Sequence, residues 1–167
     1  MGDPFDPHHW SADDVAHPYT QAAVIAAALA QGGCGVLPSR TPEDDTPVWP
    51  IYASHMPPTP DNAICVYDTT GYGDGRLQAS GETVRHPGWQ VKIRARTYLV
   101  GAAKMKCVQR LLDTMRRLQV VVGTDAYMIH AVKQTSDVIH MGQEEDADKR
   151  ELFTLNGTIT LEELTNG

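Results

Sequence analysis

Apolar positions change period several times along the chain, and each change marks an element. The run TQAAVIAAALAQGG begins after Tyr19 and is apolar at almost every position from Ala22 to Ala30. Alanine and leucine favour helix, Thr20 stands where a cap belongs, and Gly32-Gly33 stop the run. With apolar side chains all round, this helix is expected to be covered on more than one side. Its small alanines also allow close approach to another element, including a neighbouring subunit. Residues 88–97, GWQVKIRART, alternate instead: Trp89, Val91, Ile93 and Ala95 point one way, and Gln90, Lys92, Arg94 and Arg96 the other. One face reads as core. The other is a basic row, either a solvated sheet face or a surface that pairs with an acidic neighbour.

Helical period returns over 98–118, where Ala102, Met105, Val108, Leu111, Leu112, Met115 and Leu118 recur at three- and four-residue steps. The cations of its last turn face the negative end of the helix dipole. Residues 62–68 form a strand with Ile64 and Val66 on one face and Cys65 and Tyr67 on the other. Further strands are expected at 126–136 and 150–164, after an extended exit at 120–122 and a turn at Gly123. The stretch MGQEEDADKR between them reads as a charged, solvated linker. Seven prolines between Pro38 and Pro60 forbid helix and central strand there, leaving 48–54 as a short edge strand. Residues 69–88 carry five glycines and few apolar side chains, and are expected to form a long functional loop. Residues 1–18 read as an extended N-terminal arm, and 19–167 as a single α+β domain. Its antiparallel or mixed sheet of about five strands would be covered by two helices.

Charge narrows the function classes. Fourteen Lys and Arg against twenty-one Asp and Glu leave −7 over 167 residues, which disfavours adhesive binding to a nucleic-acid backbone. It is compatible with a surface that lets DNA slide past. No apolar run is long enough for a membrane span, and the acidic, Pro-rich N-terminus is unlike a signal peptide. Cys34, Cys65 and Cys107 are far apart and odd in number, so packing roles in a reducing compartment are expected rather than a disulfide framework. Seven scattered histidines lack metal-site spacing, and His130, in an alternating strand, reads as a core or interface residue. Gly71-Tyr72-Gly73-Asp74-Gly75 has no following lysine or helix start, so it is no phosphate loop. Asp61 with Asp68, or Glu82 with His86, is not positioned as an acid/base pair. No cofactor, metal or catalytic constellation is indicated.

Four pieces in order carry a resemblance. They are Pro-Asp-Asn-Ala-Ile from Pro60, Tyr-Asp-Thr-x-Gly from Tyr67, Val-x-Ile-Arg-x-Arg from Val91, and Asp-Ala-Asp-Lys-Arg-Glu-Leu-Phe-Thr-Leu-Asn from Asp146. Across residues 56–160 the chain resembles the tail-terminator (tail-completion, minor capsid) proteins of long-tailed bacteriophages. The resemblance implies a non-enzymatic virion protein of the neck, assembled in the host cytoplasm as a six-membered ring. That ring caps the tail tube, stops its polymerisation and meets the head-tail connector, while DNA passes through without sequence-specific binding. On that reading Lys92, Arg94 and Arg96 would meet acid on the neighbour, with Glu144, Glu145 and Asp146 as interface partners. Tyr72, Asp74, Arg76 and Leu77 would contact the tube or an adjacent subunit, and Phe5 and Trp10 would anchor the arm in a partner. A connector stopper, a tail-tube subunit and a small ligand-binding domain are the alternatives.

Overall fold

The computed structural model describes residues 19–38, 49–76, 83–146 and 148–164. Two helices, α1 (Gln21–Gln31) and α2 (Tyr98–Thr114), accompany seven strands. These are β1 (Ile51–Ala53), β2 (Ala63–Arg76), β3 (Thr83–Ala95), β4 (Arg116–Val122), β5 (Asp125–Gln134), β6 (Ile139–Gln143) and β7 (Glu151–Leu164). The sheet runs β1-β2-β3-β7-β5-β4, with β6 also paired to β7. Among the described residues β1 and β2 pair in parallel and the other strand pairs are antiparallel, so the sheet is mixed, with seven strands rather than about five.

Cross-strand register turns the sequence alternation into layers. Ile64, Ile93 and Phe153 form one row across β2, β3 and β7, and Val66, Val91 and Leu155 form the next. All six are buried under the helices. The α2 helix crosses closely because Gly101 has no side chain: a Cβ there would lie 2.4 Å from the Phe153 ring. α1 touches β1 and β2 near one end of the sheet and β4 at the other, so the sheet curls around it. That curl explains a helix apolar on every side. Ala22 and Val24 through Leu29 are all buried within the one chain, so the alanines serve internal packing.

The α1 start departs from expectation. Thr20 makes no side-chain cap. Instead Asp68 on β2 accepts a hydrogen bond from the Ala22 N–H at 3.0 Å, placing a carboxylate at the positive end of the helix. Tyr19 N–H donates to the Tyr127 hydroxyl at 2.7 Å, tying the entry to β5.

Three further readings are corrected. The 69–88 segment is largely a β-ribbon, because β2 and β3 stay paired from Thr69 opposite Gly88 out to Arg76 opposite Thr83. It has no apolar alternation because β7 pairs with β3 only as far as Gly88; backbone pairing, the Tyr72–His86 ring contact and the His86–Thr160 hydrogen bond at 2.9 Å hold it. Glycine is required at the close approach: a Cβ on Gly71 would lie 2.0 Å from the His86 carbonyl oxygen. Second, α2 ends at Thr114. Met115 is extended, and Arg116 enters the ladder opposite Ala131, so Arg116 and Arg117 are strand residues rather than last-turn cations. Third, part of the charged linker is β6. β5 and β6 lie end to end along one edge of β7, with Gln134 opposite Gly157 and Ile139 opposite Thr154. Ser136 Oγ accepts from the Asn156 N–H at the break, at 3.1 Å.

Candidate assembly surfaces

Opposite the helices, β2, β3 and β7 present Ala63, Arg94 and Leu152, then Cys65, Lys92 and Thr154, then Tyr67, Gln90 and Asn156. Of the expected basic row, Lys92 and Arg94 are in register on this face, whereas Arg96 lies just past the end of β3, and the three differ in environment. Arg94 is 3% exposed. Its Nη2 donates to the carbonyls of Pro57 and Pro60, and its Nη1 lies 3.8 Å from Glu144. Arg150 is 4% exposed beside it. It donates to the Pro58 carbonyl, to Glu144 at 2.6 Å and to Asp146 at 2.9 Å. Two guanidiniums thus clamp the prolines that connect β1 to β2, and acids on the β6–β7 connection neutralise them. The planar, multi-donor guanidinium suits such a junction because one group satisfies several acceptors.

Electrostatics follow from this packing. Burial, and then the like charge of Arg150, pushes Arg94 below its ordinary value. Burial also opposes the charge on Arg150, but hydrogen bonds and attraction from Glu144 and Asp146 outweigh it and raise its affinity for the proton. Arg96 reaches out to Asp61, with Nε at 3.0 Å and Nη2 at 2.7 Å, and this hydrogen bonding holds the Asp61 carboxyl below its usual range. Lys92 is half-buried, its ammonium 5.8 Å from the Tyr67 ring centre. Of the expected acidic partners, Glu144 and Asp146 are engaged by arginines of their own chain, while Glu145 is exposed.

The β-ribbon carries the expected tube-contact residues unequally. Tyr72 is 49% exposed, with its ring against His86 at 4.7 Å between centres. Asp74 and Arg76 lie on β2, and Arg76 opposes Thr83. Leu77, Phe5 and Trp10 lie outside the described residues. His130 stands on the outer side of β5, 3.0 Å from Glu162, and is not in the core.

Several features were not singled out from the sequence. Arg150 looked like the first residue of a strand, and its organising role depends on prolines some ninety residues earlier in the chain. Tyr98, His140 and Phe153 form an aromatic cluster, and His140 also lies 2.7 Å from Glu151. The first turn of α2 exposes Tyr98, Leu99 and Val100, with Leu99 at 78%. Among the described residues no group of three His, Cys, Asp or Glu could hold a metal ion, and no helix is long and apolar enough to cross a membrane.

Comparison with curated proteins finds no significant match. One solved structure, of a protein without a descriptive name, aligns over 89% of this chain and 100% of its own at 15% identity. Its TM-score of 0.41 carries no functional argument. The family model described as bacteriophage tail terminator protein matches residues 28–163, from the body of α1 to the end of β7. Its span takes in the curled sheet, both arginines of the proline clamp and the β-ribbon, and on that match the chain belongs to the bacteriophage tail terminator family.

Proposed function

We propose that this structural tail protein assembles as a closed ring of six that caps the completed tail tube, stops its growth and presents its other face to the head-tail connector. The family match over residues 28–163 carries this reading. Three features of the molecule support it. The β-ribbon of β2 and β3 extends past the strands that flank it and offers Tyr72 as an aromatic contact. The first turn of α2 exposes a contiguous apolar triad, which a neighbour would cover. The net charge of −7 suits a lumen through which DNA slides, because like charges repel over about 8–10 Å at moderate salt.

A closed ring joins one patch of each subunit to a different patch of the next. Lys92 and Arg96 provide the basic side, with Glu145 as an acidic partner; Arg94 and Glu144 support that surface from within, and the exposed Asp146 holds Arg150 at its edge. Residues 1–18 are assigned to contact with a neck partner, with Phe5 and Trp10 as anchors. The chain needs no cofactor and performs no catalysis in this role, and its site of action is the virion tail.

Native mass spectrometry of the purified chain tests the assembly. A six-subunit species is expected, whereas monomers alone, or a ring of twelve, would remove this reading. A tail-tube subunit would instead yield open-ended polymers of many lengths.

A further inference from the structure

The sequence separates Cys34 and Cys107 by 73 positions, yet their sulfurs lie 3.6 Å apart. The approach is built rather than incidental. Gly33 takes a positive φ of 80° just past the end of α1 and turns the chain toward α2. The Cys34 N–H donates to the Leu29 carbonyl at 3.0 Å, and the Cys34 carbonyl accepts from Lys104 Nζ at 2.6 Å. Lys104 lies one helical turn before Cys107, so two successive positions on one face of α2 hold the same cysteine, one by its backbone and one by its sulfur. Cys34 is buried, Cys107 is exposed, and both are free thiols.

We propose that Cys34 and Cys107 form a preformed cross-linking site that closes to an intramolecular disulfide when the folded chain meets a small-molecule disulfide such as oxidised glutathione. A disulfide needs sulfurs about 2.05 Å apart, so the pair must close by about 1.5 Å, within reach of side-chain rotation at the exposed Cys107. The Cys107 thiolate attacks one sulfur of oxidised glutathione, forming a mixed disulfide and expelling a glutathione thiolate. Cys34 then loses its proton and attacks the Cys107 sulfur, expelling the second glutathione thiolate. The two protons released from the cysteines end on the two glutathione molecules. The protein is oxidised by two electrons and the reagent is reduced by two.

The order of attack follows from environment. Burial first, and then the hydrogen bond with Cys107, pushes the Cys34 thiol up to about 12. Burial persists once Cys107 carries glutathione, so the second step is the slow one near neutral pH and quickens as pH rises. The bond would tie the turn after α1 to the middle of α2 across a long loop, which restricts the unfolded chain most. Cys65, buried on the far side of β2, has no thiol neighbour among the described residues and serves as an internal control.

The test is intact-mass and peptide mapping of the folded chain treated with oxidised glutathione at neutral and mildly alkaline pH. The expected product lacks two hydrogens and contains a Cys34–Cys107 linked peptide, in wild type and in Cys65→Ser alike. Cys34→Ala should stop with one glutathione on Cys107, and Cys107→Ser should show neither product. The cross-linked chain should melt about 5–10 °C above the reduced chain. A wild-type chain that stops at the mixed disulfide at both pH values, or that links Cys65, would overturn the proposal. An unchanged or lower melting temperature would also overturn it, because the bond would then form only by distorting the fold. None of these outcomes depends on the ring or the tube.

Discussion

Ile93 sits between Ile64 and Phe153 in the middle row of the core, fully buried, while Lys92 one position earlier faces the other side of the sheet. Ile93→Asp would place an unpaired charge among apolar side chains and should lower unfolding free energy by about 3–5 kcal/mol in urea titrations. Lys92→Asp should leave the subunit folded but, on the proposed interface, shift native mass spectra away from the ring, since a reversed charge there would bring like charges together. Normal rings from Lys92→Asp would show that this lysine is merely solvated. Arg150 gives a second test at this scale. Arg150→Ala leaves Glu144, Asp146 and the Pro58 carbonyl without their shared donor, so a loss of about 3–5 kcal/mol is expected, with faster amide exchange at Asp61 and Asn62. A loss within about 0.5 kcal/mol, with unchanged exchange, would show that the prolines are held by other means. The alternation of β3 revealed which of these residues point together, but not that Arg94 is buried. Its cover comes from a proline segment whose path is set by tertiary contacts, and no local period encodes that.

Elements were legible wherever burial imposed a period. β3, β7 and the body of α2 stand close to where their apolar spacing put them, and the uniformly apolar α1 is covered as its composition requires. The misread elements lack such a period. β6 is mostly exposed and gains its place from one edge of β7, and the β-ribbon is held by backbone pairing through glycines. Removing residues 71–86 and closing the shortened hairpin with a two-residue turn should therefore preserve the rest of the sheet and its melting cooperativity, while reducing attachment to tubes. An unfolded product would show that the ribbon contributes to the core. Acid sensitivity reports how connections are fastened to strands. Hydrogen bonds from Arg96 hold Asp61 below the usual carboxylate range, and those from Gln143 and then His140 do the same for Glu151. Both groups bind protons more readily when unfolded. Their stabilisation is complete above a pH of about 4–4.5 and is lost as pH falls through the lower folded values. Melting temperatures followed through that window should fall less steeply for Asp61→Asn and Glu151→Gln than for wild type.

For the whole molecule, the curl of the sheet around α1 buries that helix and the facing rows of the sheet inside the subunit. What remains for assembly is the β-ribbon, the exposed turn of α2 and a modest set of charges. Such surfaces suit a part that meets several neighbours. The sequence resemblance and the family match agree on tail terminator, but ring closure is a property of several chains and no single chain displays its angle. In the proposed role this chain halts tube growth by occupying the tube end. Electron microscopy of tubes growing from purified tail-tube subunits of the same phage, with and without this chain, measures that directly. Shortened, uniform tubes bearing one ring of additional density at the growing end are expected; unchanged lengths with bare ends, or incorporation of this chain along the tube wall, would rule that role out.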